Sequence, residues 1–290
     1  MKQKNIVIVT GVGLKECKRV FKQPDPATLI EHEGSKYKMN AAAGAAVELS
    51  RSGHTVYMVG DCKGCMKLVG EKFMKMPYHI KQADLQKKTD SDEVAREVEK
   101  IKNESKMDVH LVYYAGVSGK NIQLPKDTVA LDPWEVPPES IGPIIEANTV
   151  SAFNIIQSLK NVFHSQKVSK IVFITAISSI RTKRLHSLDA MQKSAVHALA
   201  RSFALDLTKE GIYITEIMPG ITDTGFYDPK ITFDAMIQAS KEFGYEYTED
   251  TYPVFKAERV GEAVVFAIES NFNVRELILM PYGQYPHLGA

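Results

Sequence analysis

The sequence predicts a three-layer, doubly wound α/β domain around a mostly parallel seven-stranded sheet, on three observations. Short β-branched runs alternate with longer amphipathic stretches, an order that gives right-handed crossovers and a parallel sheet. Most of those runs are continuously rich in Val, Ile and Leu, as strands covered by helices on both faces are. The first run ends in Thr10-Gly11-Val12-Gly13, a turn in which backbone N–H groups and a helix N-terminus approach a phosphate.

Taken in chain order, strands are expected over Asn5–Thr10, Thr55–Gly60, His79–Gln82, Val109–Tyr114, Ile171–Thr175, Tyr213–Met218 and Leu277–Met280. Helices are expected between them, over about Lys38–Ser52, Asp92–Asn103, Pro138–His164, Leu188–Glu210 and Val260–Ser270. Gly53 stands where the first helix needs a left-handed cap. Asp90 and Ser91 supply N-cap chemistry ahead of Asp92. Such a sheet binds its ligand at the carboxyl ends of its strands, where the strand order reverses.

Two segments fall outside the alternation. Val12–Tyr37, polar and carrying Pro24 and Pro26, interrupts the passage from first strand to first helix. Thr222–Pro253 is rich in aromatic and charged residues and reads either as a substrate lid or as a surface decoration. With no linker, repeat or low-complexity tract, residues 1–290 read as one domain, with an insertion at about 12–37 and a possible lid at about 222–253.

At 290 residues, 44% hydrophobic and 24% charged, the chain has an ordinary globular composition and length for a large core. A net charge of +1 argues against nucleic acid or a membrane surface as the main partner. The opening MKQKNIVIVTGVG leads into a strand and Gly turn and not a cleavage site, so a cytoplasmic protein is expected. Of Cys17, Cys62 and Cys65, the last two form a CxxC. That spacing suits a redox pair or half a metal site. Structural zinc needs four ligands and none cluster nearby, so no metal is expected and the two are read as loop thiols.

Further pieces follow in order: Gln82-Ala83-Asp84-Leu85 after the third strand, Tyr113-Tyr114-Ala115-Gly116 after the fourth, Asn148 within Glu146–Asn154, Lys193 within Met191–Val196, and Pro219-Gly220-Ile221-Thr222-Asp223-Thr224 after the sixth. Together with Thr10-Gly11 and the late segment Asn273–Gln284, they resemble the short-chain dehydrogenase/reductase family, a Rossmann-type fold, over nearly the whole chain. The resemblance implies an NAD(P)-dependent oxidoreductase. Thr10, Gly11 and Gly13 would stand at the pyrophosphate turn. Asp84 and Leu85 would meet the adenine, and Ala115 and Gly116 would line the cofactor's path. Pro219, Gly220, Ile221 and Thr224 would flank the nicotinamide. Lys193 would hold the ribose hydroxyls, and the Asn148 backbone would hold a relay water. Asp61, near the position that accepts ribose hydroxyls, favours NAD over NADP, although Lys63 would attract a ribose phosphate. A homodimer or homotetramer and a small-molecule substrate are also implied.

The departures from the family pattern are as informative. Counting back from Gly53 puts Asn40 and Ala42 at two of the family's glycine positions, with Val12–Tyr37 inserted in the phosphate loop itself. Lysines of that insertion, Lys38 among them, either supply charge to a phosphate or form a solvated face. The family's catalytic Tyr, one turn before its Lys, is here Asp189, and its Ser is Ala176. A carboxylate beside a lysine is favoured in its charged form and cannot give a proton to a carbonyl. Either catalysis has given way to a salt bridge, or Asp189, His186, Tyr113 or Tyr114 serves as a substitute acid or base. A ligand-binding or scaffold protein without turnover is therefore the alternative, and a lyase or isomerase reusing the cleft a weaker third.

Overall fold

The computed structural model describes residues 4–17, 25, 27–114, 124, 131–182, 185–225, 234–241, 244–248 and 250–284. In chain order the elements are β1 (Ile6–Thr10), β2 (Leu14–Glu16), β3 (Leu29–His32), β4 (Ser35–Met39), α1 (Ala41–Arg51), β5 (Thr55–Gly60), α2 (Lys63–Phe73), β6 (Tyr78–Gln82), α3 (Lys88–Ser105) and β7 (Val109–Tyr113). Then come α4 (Ile141–Ile145), α5 (Ser151–Ser158), α6 (Lys160–His164), β8 (Ser169–Ile174), α7 (Ser187–Leu207), β9 (Ile212–Pro219), β10 (Thr222–Asp223), α8 (Asp234–Lys241), β11 (Phe255–Lys256), α9 (Ala257–Glu269) and β12 (Glu276–Leu279).

Seven strands form the central sheet in the order β12-β9-β8-β7-β1-β5-β6, and every pairing is parallel. From β1 the chain builds outward through β5 and β6, then returns to the other side of β1 with β7. The order reverses between β1 and β7, and parallel sheets open their ligand crevice at that place. On one face α1, α2 and α9 cover a core that includes Val7, Val9, Val47, Met66 and Val264. On the other, α3, α5 and α7 cover Ile8, Val94, Leu111, Ile155 and Val196. The central strands of β1 and β5 are wholly buried, which is why they read as unbroken apolar runs.

The contact of α1 with α9 is made by glycines. A Cβ on Gly261 would lie 2.5 Å from the Gly44 carbonyl oxygen, and one on Gly44 would lie 2.4 Å from that of Ala257. Backbone meets backbone there, so neither side has a flexible group that can yield. Gly261→Ala is expected to destabilise the fold by about 1–3 kcal/mol, the usual effect of overpacking. An unchanged urea midpoint would mean that the helices are not this close.

Several boundaries differ from those read in the sequence. Helix α3 starts at Lys88, not Asp92, with Lys87 at the N-cap and no side-chain cap. Asp90 instead turns back to accept the Asp84 N–H at 2.9 Å. Lys38 belongs to β4, and α1 starts only after Asn40. The stretch expected as one helix over Pro138–His164 is broken into a 3-10 turn, α4, a π-turn at Glu146–Val150, α5 and α6. Helix α2 was not anticipated, because two glycines and a run of polar residues hide its periodicity. Gly70 there lets the Tyr78 ring approach: a Cβ would meet it at 2.4 Å. Gly53 takes the expected left-handed conformation after α1.

Candidate functional site

Everything at the reversal point starts from Thr10 and Tyr114, on the two strands that diverge there. The Thr10 hydroxyl donates to the Tyr114 carbonyl at 3.1 Å and accepts from the Tyr114 N–H at 3.0 Å. Gly11 follows at φ +70°, and a Cβ on it would sit 2.3 Å from the Tyr114 carbonyl oxygen. No other residue fits this turn: the left-handed φ disfavours a side chain and the neighbouring backbone excludes one.

The insertion does not break the turn in space. Within it β2, β4 and β3 form a small antiparallel sheet, whose hairpin turns through Glu33 and Gly34 at positive φ. Leu14 pairs with Met39, so the chain leaves and returns at one place. Asn40 seals the gap. Its side-chain oxygen accepts from the N–H groups of Gly13 at 3.3 Å and Ala43 at 2.9 Å, and its amide donates to the Gly11 carbonyl at 2.7 Å. Asn40 thereby caps α1 while tying both glycines to that helix's N-terminus. Its φ of −77° is ordinary, so the position uses the Asn side chain and not an unusual backbone angle.

Lys15 and Lys36 are exposed, as a solvated face requires, but Lys38 departs from both expectations. It is neither solvated nor free for a phosphate: it is 1% exposed and pairs with Asp223 at 2.5 Å. Asp223 follows Pro219, Gly220, Ile221 and Thr222 at the end of β9, so the pair joins the insertion to the other end of the crevice. Burial pushes the Asp223 carboxyl above its ordinary pKa, and Lys38 opposes the shift. Around it, the Gly220 N–H donates to the Leu279 carbonyl at 2.6 Å, and the Ile221 N–H to the Gln284 side chain at 3.1 Å. Thr224 is buried and donates its N–H to the Thr222 carbonyl at 2.9 Å. Tyr252 and Val254 pack on Ile221, with Tyr245 and Tyr247 beside them, so the aromatics of this segment cluster at the end of β9.

The third wall is α7. Lys193 is buried, and its ammonium lies 5.1 Å from the centre of the half-buried Tyr114 ring. Burial lowers the Lys193 pKa, while the Asp189 charge opposes that shift. One turn earlier, Asp189 accepts from the Ser178 hydroxyl at 2.7 Å and the Gln192 amide at 3.3 Å. Gln192 in turn accepts from Asn148 at 2.9 Å, and the Asn148 amide also donates to the Ile144 carbonyl at 2.8 Å. Asn148 is wholly buried in the π-turn, and its carbonyl accepts the Tyr113 phenol at 2.7 Å. His186 is buried at the head of α7, with its carbonyl accepting the Ala190 N–H at 2.8 Å.

The adenosine-side candidates lie at the tips of β5 and β6. Asp61 is exposed, and its carbonyl accepts from Gln82 at 2.9 Å. Asp84 shares its carboxylate with the Gln86 N–H at 3.2 Å and with Lys87 at 3.6 Å. The Leu85 carbonyl accepts from Asn154 at 3.0 Å. Ala115 and Gly116 lie outside the described residues. Cys62 and Cys65 are not two loop thiols: they are joined in a disulfide across the first turn of α2.

Sequence reasoning missed Asn40 as a cap, Gln192 as the link from Asn148 to Asp189, Asp223 as the partner of Lys38, and Gln284. Asn before an alanine run is a legible cap signal. The others depend on contacts between elements far apart in the chain.

A family model described as short chain dehydrogenase matches residues 42–233, beginning where the insertion ends. An uncharacterized oxidoreductase of Staphylococcus epidermidis is 20% identical over 238 residues, spanning 81% of this chain and 90% of that protein. One of Staphylococcus saprophyticus is 23% identical over 242 residues, spanning 82% and 92%. Among solved structures, an alcohol dehydrogenase from the archaeon Thermococcus sibiricus, complexed with 5-hydroxy-NADP, superposes with a TM-score of 0.67 at 16% identity, covering 98% of this chain and 99% of that one. A 3-oxoacyl (acyl-carrier-protein) reductase from Agrobacterium tumefaciens with NADP bound has a TM-score of 0.66 at 17% identity, covering 96% and 93%.

Proposed function

This chain belongs to the short-chain dehydrogenase family, and from that premise we propose that it is an NAD(P)-dependent oxidoreductase acting on a carbonyl or alcohol through a rebuilt proton-donating centre. The observation that carries the reading is the buried Lys193, whose ammonium lies over the ring of Tyr114, the residue that packs on Gly11 and leaves its turn no room for a side chain. A buried ammonium at this place is a strong hydrogen-bond donor, and the hydroxyls of a nicotinamide ribose are the acceptors that the family resemblance assigns to it.

The bound dinucleotide would supply hydride transfer. Thr10, Gly11 and Gly13 would receive its pyrophosphate near the N-terminus of α1. Pro219, Gly220, Ile221 and Thr224 would line the nicotinamide, Asp61, Asp84 and Leu85 the adenosine, and Ala115 and Gly116 the cofactor's path. The acidic Asp61 favours NAD. Asn148 and its neighbours would fix the floor of the site.

Asp189 stands where the family has its tyrosine, and Ala176 where it has its serine. With two donors already aimed at it, Asp189 is held as an acceptor and does not protonate a substrate. Tyr113 is also excluded, since its phenol is buried and committed to the Asn148 carbonyl. Tyr114 meets the requirement. Burial and the Asp189 charge push its phenol up to about 12, which makes it a weaker acid than a free tyrosine, so only a group as basic as a nascent alkoxide takes its proton. A second reading, ligand binding without turnover, is favoured by the same donors on Asp189.

Fluorescence titration with NADH and NADPH, followed by a carbonyl panel, tests both. Wild type is expected to bind NADH more tightly and to turn over, and Tyr114→Phe to keep that affinity while losing turnover by about 100-fold or more, the usual worth of a general acid. Binding of neither nucleotide removes the oxidoreductase reading. Binding without turnover in wild type, with turnover gained on Asp189→Tyr with Ala176→Ser, selects the second reading.

We also extend the proposal to a homo-oligomer. Val150, at the end of the π-turn, and Phe153, in α5, are left exposed, and such apolar exposure favours self-association.

A further inference from the structure

We propose that Cys62 and Cys65 form a thiol–disulfide exchange site for an external dithiol, and that its two redox states bind dinucleotide with different affinity. The second half rests on the cofactor reading above; the first half does not. The two cysteines are three apart, with Cα atoms 5.3 Å apart in the disulfide, within the normal bridging range. A bridge this short restrains little of the unfolded chain and is therefore a weak staple. Its position suits exchange better. Cys62 is the N-cap of the eleven-residue α2, and its sulfur accepts the Cys65 N–H at 3.1 Å. Once the bond opens, that N–H and the helix N-terminus stabilise the Cys62 thiolate. Both residues are half-buried at the surface, the intervening Gly64 is exposed, and a Cβ on it would meet nothing within 4 Å.

The chemistry balances with a dithiol as reductant. Its thiolate attacks one sulfur of the Cys62–Cys65 bond, forming a mixed disulfide and releasing the other sulfur as thiolate. The second thiol of the reductant then displaces the first cysteine. Two electrons and two protons end on Cys62 and Cys65, and the reductant leaves as its disulfide.

The link to the crevice is steric. The disulfide closes the turn directly after Asp61 at the tip of β5. Within that turn the Met66 N–H donates to the Cys62 carbonyl at 3.2 Å. A Cβ on Gly60 would touch the Val12 carbonyl oxygen at 2.7 Å and the Met66 sulfur at 3.5 Å. The Val12 N–H donates to the Val59 carbonyl at 3.2 Å. Relaxing the first turn of α2 would therefore shift Met66 against Gly60, which packs on Val12 of the glycine turn.

The test starts from Cys17→Ser protein, so that only the pair is counted. It is equilibrated in a series of reduced and oxidised glutathione mixtures, trapped with a maleimide and weighed intact. Two labels are expected at the reducing end, none at the oxidising end, and a single transition between them. A label count that never changes across the series overturns the exchange site. NADH and NADPH affinities are then measured on the fully reduced and fully oxidised forms. A difference of about three- to tenfold is expected, the worth of roughly one altered hydrogen bond, and it should vanish in Cys62→Ser with Cys65→Ser. Equal affinities overturn the coupling and leave the exchange site standing. If neither form binds a dinucleotide, the cofactor reading fails and takes the coupling with it, while the mass series still decides the exchange.

Discussion

Asp223→Ala is expected to lower folding stability at neutral pH by about 3–5 kcal/mol, because it leaves the Lys38 ammonium buried without its counter-charge. Both side chains are essentially sealed, at 1% and 2% exposure, so water cannot step in. Lys38→Met should do comparable damage from the other side, stranding a carboxylate whose second oxygen already lacks a hydrogen-bond partner. The informative variant is the pair Lys38→Met with Asp223→Leu. Desolvating two charges costs nearly as much as their attraction returns, so the double variant should recover most of the loss. Urea unfolding of the three proteins measures this. Single variants within about 0.5 kcal/mol of wild type, the range of ordinary surface changes, would mean that the pair is not buried in solution.

Lys193→Met should weaken dinucleotide binding by about 10- to 100-fold, the value of a hydrogen bond from a charged donor, while leaving the fold intact or more stable. The sign of the stability effect follows from the lowered pKa. Below the folded-state pKa both states hold the proton, and the native state bears the full desolvation cost. Between that pKa and the higher unfolded value the unfolded chain binds more protons, so stability rises with pH. Methionine fills a similar volume without the charge, and should abolish this rise. Dinucleotide affinity in wild type should decline at a pH below the ordinary lysine range, as the ammonium is lost, and should be flat across that range in the variant. A wild-type affinity that ignores pH up to the ordinary lysine value would remove Lys193 from the ribose.

The sheet was legible because buried parallel strands must be continuously apolar. All seven were expected within two residues of their ends, while their order, and with it the reversal point, came only from the structure. The glycine turn was legible for a related reason, since its backbone admits no side chain, whereas Lys193 was singled out by the family resemblance alone. What stayed hidden depended on partners distant in sequence. Lys38 looks like any lysine of a polar segment until Asp223 comes from the far side of the sheet to meet it. The long helix over Pro138–His164 has helical periodicity throughout, and only the burial of Asn148 against Gln192 explains a π-turn there. The strands of the insertion are short and half-exposed, so no apolar pattern announces them.

The sealed excursion between Gly13 and Asn40 has a mechanical consequence. The outgoing and incoming chains meet at one anchor, so the helix begins where it would without the loop. Lys38, at the root of the hairpin two residues before that anchor, pairs with Asp223 of the opposite rim. The root of the excursion is thus fastened to both rims of the crevice, by Asn40 on one side and Lys38 on the other.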